Sequence, residues 1–139
     1  MRQHITFITL GVDDLGKSVD FYQNGLGFTT KGIIGQEFEN GAVAFFDMQP
    51  GLKLALWPKT SIARETGVAI TSNSSTEVIV SHNVASKSEV DEITSAARNA
   101  GAKITKEPHD TFYGGYAAYF QDLDDHIWEI VFNPGFENL

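Results

Sequence analysis

The spacing of apolar and polar residues changes period at regular points along the first half of the chain, and those changes mark elements. Ile5-Thr6-Phe7-Ile8-Thr9-Leu10 is rich in β-branched residues and reads as a strand. Asp13 and Asp14 follow as caps for a helix whose apolar positions Leu15, Val19, Phe21 and Tyr22 share one side, and Gly25 to Gly27 stop it. Residues 28–34, 42–48 and 52–57 read as three further strands, separated by Glu37-Phe38-Glu39-Asn40-Gly41 and Gln49-Pro50-Gly51. Residues 58–76 then turn polar, ending in Thr71-Ser72-Asn73-Ser74-Ser75-Thr76. They form a long connection with a short helix around residues 61–65.

The second half runs through the same order. Residues 77–84 read as a strand and 86–100 as a helix, capped by Ser86 or Ser88, with Val90, Ile93 and Ala97 facing inward and Gly101 ending it. Residues 102–106 make another strand, and 115–121 with 126–132 form a hairpin around Asp122-Leu123-Asp124-Asp125. Val12 precedes Gly27 by 15 residues and Val84 precedes Gly101 by 17. The simplest account is an α+β domain built from two βαβββ pseudo-repeats, residues 1–58 and 77–134, joined by the polar linker.

Composition narrows the chemistry. The 139 residues, 42% of them hydrophobic, suffice for one domain. Ten basic and 18 acidic side chains give a net charge of −8, which argues against a nucleic-acid surface. No apolar run approaches the roughly 18 residues that span a bilayer, and the first strand leads into Asp13-Asp14, unlike a signal peptide. With no cysteine there is neither a disulfide framework nor a thiolate site, and a cytoplasmic setting is expected. Asp122, Asp124 and Asp125 lack calcium-loop spacing, Gly114-Gly115 lacks the helix a phosphate cradle needs, and Ser18 and the 72–75 serine cluster have no adjacent His–acid arrangement.

Several segments carry a family resemblance over essentially the whole chain. They are Leu10-Gly11-Val12-Asp13-Asp14-Leu15, Ser18-Val19-Asp20-Phe21-Tyr22, Leu26-Gly27-Phe28, Ala100-Gly101-Ala102, Tyr113-Gly114-Gly115-Tyr116 and Phe120-Gln121-Asp122-Leu123-Asp124-Asp125-His126-Ile127-Trp128-Glu129. The last is similar to a DPDGH-x-WE ending, with Leu123 and Asp125 in place of proline and glycine. Together they resemble the vicinal oxygen chelate superfamily, which holds glyoxalase I, bleomycin-resistance proteins and extradiol dioxygenases. The resemblance implies two βαβββ modules forming a curved sheet with a central cleft, a homodimer, and in metal-dependent members a divalent ion held by His, Gln or Glu from four strand positions. Three of those positions align with Phe7, Ala55 and Ile79, and only Glu129 retains a ligand-type side chain. No metal or other cofactor is therefore expected. If an ion is present, Glu77 with Glu129 is the fallback pair, since a two-residue slip would bring Glu77 to the third position.

The expected function is binding of a small, partly apolar organic ligand in the cleft, lined by Phe7, Phe45, Trp57, Tyr113, Tyr116 and Val131. The alternative is a metal-dependent glyoxalase-like lyase or isomerase, or a dioxygenase, using Glu129 as base with a non-standard ligand set. His4 and His82 are expected to point away from the face of Phe7 and Ile79, His126 to stabilise the hairpin, and His109 to sit in a loop near the cleft.

Overall fold

The computed structural model describes residues 1–72 and 74–136; Asn73, within the polar linker, lies outside the described residues. The chain divides into two compact units, 1–72 and 73–139. The first contains β1 (Phe7–Val12), α1 (Leu15–Asp20), β2 (Thr30–Ile34), β3 (Val43–Asp47), β4 (Lys53–Pro58) and α2 (Lys59–Thr66). The second contains β5 (Ile79–Val84), α3 (Lys87–Asn99), β6 (Lys103–Asp110), β7 (Tyr116–Gln121) and β8 (Ile127–Phe132). No helix among the described residues is long and apolar enough to cross a membrane.

Each unit holds one four-stranded mixed sheet, ordered β1-β4-β3-β2 and β5-β8-β7-β6. In both, the first and last strands pair in parallel and the others antiparallel. The βαβββ order read from the sequence is thus the observed order in each half.

Local chemistry starts and stops the helices where the sequence indicates. The Asp14 side chain accepts from the Lys17 amide at 3.0 Å at the start of α1. After Asp20 the helix widens into a π-type turn over Phe21–Gly25, which keeps Phe21 and Tyr22 buried. Of the two candidate caps for α3 it is Ser86 that accepts from the Glu89 amide, at 3.3 Å. Glu89 in turn accepts from the Ala85 amide at 3.3 Å, one residue before a standard capping box would reach back.

Alternation along the strands places one core per unit. Leu10, Val12, Ala44, Phe46, Leu54 and Leu56 are buried on the α1 side of the first sheet, where Tyr22 and Phe28 each reach the Phe46 ring at 5.9 Å. Ala118, Phe120, Trp128 and Ile130 are buried on the α3 side of the second, with Phe120 and Trp128 stacked at 6.3 Å. The sheet faces turned away from α1 and α3 are the far faces below. On the first of these, α2 reaches the Gly11 end. A side chain on Gly11 would stand 3.1 Å from Lys59 and 3.2 Å from Ile62.

The β7–β8 turn departs from the sequence expectation by one residue. Gln121 pairs with Ile127, so the loop has five residues, 122–126, not four. Asp122 holds it together: one carboxylate oxygen accepts from the Asp124 and His126 amides, both at 2.9 Å, and the other meets His126 Nδ1 at 2.7 Å. Asp125 takes φ 67°, where the similar motif has glycine. His126 thus has the hairpin role expected of it. Asp122 is only 5% exposed, so Asp122→Ala should cost about 2–4 kcal/mol of stability by stranding two amides, read by urea denaturation. His126→Ala should cost less, and equal losses would show that the imidazole, not the amide bonds, closes the turn.

Candidate functional site

Glu129 lies between two buried helix-side residues, Trp128 and Ile130, so its own side chain emerges on the far face of the second sheet. The register sets Ser81 of β5 on one side of it and Tyr119 of β7 on the other. Both neighbours donate: Ser81 Oγ to Glu129 Oε2 at 2.6 Å and the Tyr119 hydroxyl to Oε1 at 2.7 Å. The half-buried carboxylate is therefore clamped through both oxygens. The bond to Glu129 first, then burial, pushes the Tyr119 hydroxyl up to about 12.

His109 completes this face. It pairs with Ala117, and its ring lies 6.4 Å from that of Tyr119. Its Nδ1 is 2.9 Å from the Glu107 carbonyl oxygen. A carbonyl can only accept, so Nδ1 is the donor in this contact. From the sequence alone, His109 is expected in a loop. Instead β6 continues to Asp110, accommodating Pro108 because it is an edge strand and because its pairing is irregular between Lys106 and His109.

The far face of the first sheet has a different character. Phe7 and Phe45 meet edge-to-face at 5.7 Å and 65°. Ala55 stands in register between Thr9 and Phe45. Trp57 follows two residues along β4, its indole donating to the Asn40 carbonyl at 2.8 Å. Phe7 remains 50% exposed.

Among the other expected lining residues, Val131 shares the face of Glu129, whereas Tyr113 sits at the exposed β6–β7 tip, edge-on to Phe112 at 5.1 Å. Tyr116 lies on the opposite face, its hydroxyl donating to Asp91 of α3 at 2.8 Å. That bond raises the Tyr116 hydroxyl above its ordinary range. The cause of this placement is the hairpin. A four-residue turn would set Glu129 opposite Ala118 and bring Tyr116 to its face, while the observed five-residue turn sets it opposite Tyr119 and reverses the tyrosines. Tyr119 and Ser81 were not singled out from the sequence, although correct hairpin parity would have identified Tyr119.

The donor set does not fit a divalent ion. Phe7, Ala55 and Ile79 offer no ligating atom, and Glu129 already accepts two hydroxyl bonds. Among the described residues no three His, Asp or Glu side chains group closely enough to hold a metal. Glu77 ends an exposed 3-10 turn, and the extended chain from Val78 to Ser81, the register partner of Glu129, spans roughly 10 Å. His4 precedes β1 and is exposed. His82 is in register with Ile130, on the α3 side and away from Ile79.

The clamp has a pH signature. Tyr119 binds its proton more tightly folded than unfolded, so its contribution to stability is complete below pH about 10 and is lost as pH rises through about 12. In a Tyr116→Phe background, ultraviolet titrations with and without Glu129→Gln should differ by one tyrosine that deprotonates near 12 and returns toward the ordinary value in the variant. No movement would mean that Glu129 does not hold that proton.

The family model of the Glyoxalase/Bleomycin resistance protein/Dioxygenase superfamily matches residues 3–130. A glyoxalase-related enzyme from Fulvimarina pelagi is 34% identical, with a TM-score of 0.81 over 96% of this chain and 90% of its own. A hypothetical protein from S. aureus is 26% identical, with a TM-score of 0.79 over 96% and 95%. The fosfomycin resistance protein FosX of Listeria monocytogenes, solved with Mn(II) and a phosphonic acid, is 23% identical, with a TM-score of 0.69 over 99% and 96%. No curated protein matches the chain. With its paired βαβββ topology and the family match over most of its length, the chain belongs to the glyoxalase/bleomycin resistance protein/dioxygenase superfamily.

Proposed function

We propose that this protein binds a small, partly apolar organic molecule and does so without a catalytic metal. The observation that carries the reading is the clamp on Glu129. Where a metal-dependent member needs a carboxylate turned to an ion, this carboxylate is held by two hydroxyls at 2.6 and 2.7 Å. A carboxylate so oriented accepts a hydrogen bond from a ligand N–H or O–H at the second sheet, and Phe7, Phe45 and Trp57 separately give the first sheet an apolar and aromatic face. The likeness to the Mn(II)-bound Listeria protein supports the fold alone.

Two measurements test this. After incubation of tag-free protein with nickel, zinc, manganese or iron(II) and desalting, elemental analysis should find near-zero metal. A stoichiometric ion lost in Glu129→Ala would overturn the reading in favour of a metal-dependent lyase or dioxygenase. Screening small aromatic compounds by thermal unfolding should find ligands that raise Tm, by about 2.7 kcal/mol of stabilisation at 100 times Kd, with no turnover. Turnover abolished by Glu129→Gln with binding retained would instead make Glu129 a general base.

A further inference from the structure

The far face of the first sheet carries a feature the preceding proposal does not use. On β2, an edge strand, Thr30 pairs with Phe46 and Ile33 with Ala44, so Lys31 and Gly32 together oppose Phe45 in a β-bulge. Gly32 takes φ 84°, and a side chain there would point into open space. Thr30 Oγ1 locks the bulge, donating to the Phe45 carbonyl at 2.7 Å and accepting from the Gly32 amide at 3.1 Å.

The bulge borders an open pocket of about 330 Å³ whose lining includes Thr30, Lys31, Gly32, Phe45, Asp47 and Lys53. Two ammonium groups and one carboxylate give it a local charge of +1 in a chain of net charge −8. Lys53 is paired with Asp47, but their side chains are 44% and 83% exposed, and ion pairs so exposed are weak. Lys31 forms no ion pair among the described residues. The Lys53 hydrogen bond first, then the Lys53 charge and more weakly that of Lys31, hold the Asp47 carboxyl below its ordinary range.

From this arrangement we infer that the pocket is a subsite for a small aromatic monocarboxylate, its carboxylate between Lys31 and Lys53 and its ring against Phe45. The inference rests on the small-molecule reading above and names the ligand class. A carboxylate offers two oxygens, one for each ammonium, and can displace Asp47 from a weak surface pair. A neutral amide of the same shape cannot. Phe45, already edge-on to Phe7 at 5.7 Å, supplies a ring for aromatic packing.

Titration of the full 15N-labelled chain with benzoate and, separately, benzamide tests this. Benzoate should move the amide signals of Lys31, Gly32 and Phe45 saturably and bind at least about fivefold more tightly than benzamide. Lys31→Gln should weaken benzoate by about fivefold or more and leave benzamide unchanged. Asp47→Asn, which frees Lys53, should tighten benzoate. Equal affinity for the two probes, shifts confined to other residues, or indifference to Lys31→Gln would overturn the inference. A neutral aromatic binding elsewhere would do so while leaving the small-molecule reading intact. Failure of both probes, together with an empty thermal screen, would remove both.

Discussion

Parallel pairing of the first and last strands in each unit is the constraint from which the rest follows. A parallel pair cannot be closed by a hairpin, so the chain must cross over, and here a helix and two more strands lie between the members of each pair. α1 and α3 each cover one sheet face, over large apolar strand residues such as Phe46, Phe120 and Trp128. Period-two alternation then delivers Phe45 and Glu129 to the opposite face, one residue away from a core position in each case. The candidate site is thus a by-product of core formation: Glu129 is positioned because Trp128 and Ile130 are anchored.

The clamp on Glu129 meets a need that a metal ion can also meet. A half-buried carboxylate needs compensating partners, and a metal ion is one solution. Two hydroxyl donors are another, and hydrogen bonds to a charged group contribute about 1.5–3 kcal/mol each. An ion arriving here would have to compete with Ser81 and Tyr119 for the same oxygens, helped by no ligating atom at Ile79. The residues around Glu129 satisfy it as a hydrogen-bond acceptor and leave it poorly suited to coordination.

Much of this was legible in the sequence because it rests on local signals. Asp14 and Ser86 as caps, the glycines ending helices and the alternation along β8 specify the βαβββ order directly. What escaped was set by non-local geometry. One extra residue in the 122–126 turn, held by the Asp122 amide bonds and accommodated at the positive φ of Asp125, exchanged Tyr116 for Tyr119 beside Glu129. The irregular pairing that carries His109 into β6 and the bulge at Lys31 are likewise invisible to periodicity, because each inserts a residue without changing the hydrophobic pattern. A strand can therefore be placed correctly while its functional side chains are assigned to the wrong face.

Net charge is also a poor guide to what the molecule accepts. A total of −8 suggests repulsion of anions, yet at physiological salt the Debye length is only about 8 Å. Charges on remote surfaces are screened over that distance, and the potential inside a pocket is governed by groups that touch it. At the β2 bulge those are Lys31, Lys53 and Asp47, and their balance is positive. The acidic remainder slows the approach of an anion more than it weakens the bound state, because long-range steering acts on encounter and contact acts on residence. Selectivity at this face accordingly follows from whether an incoming group can replace Asp47 on Lys53, a contest decided within a few ångströms.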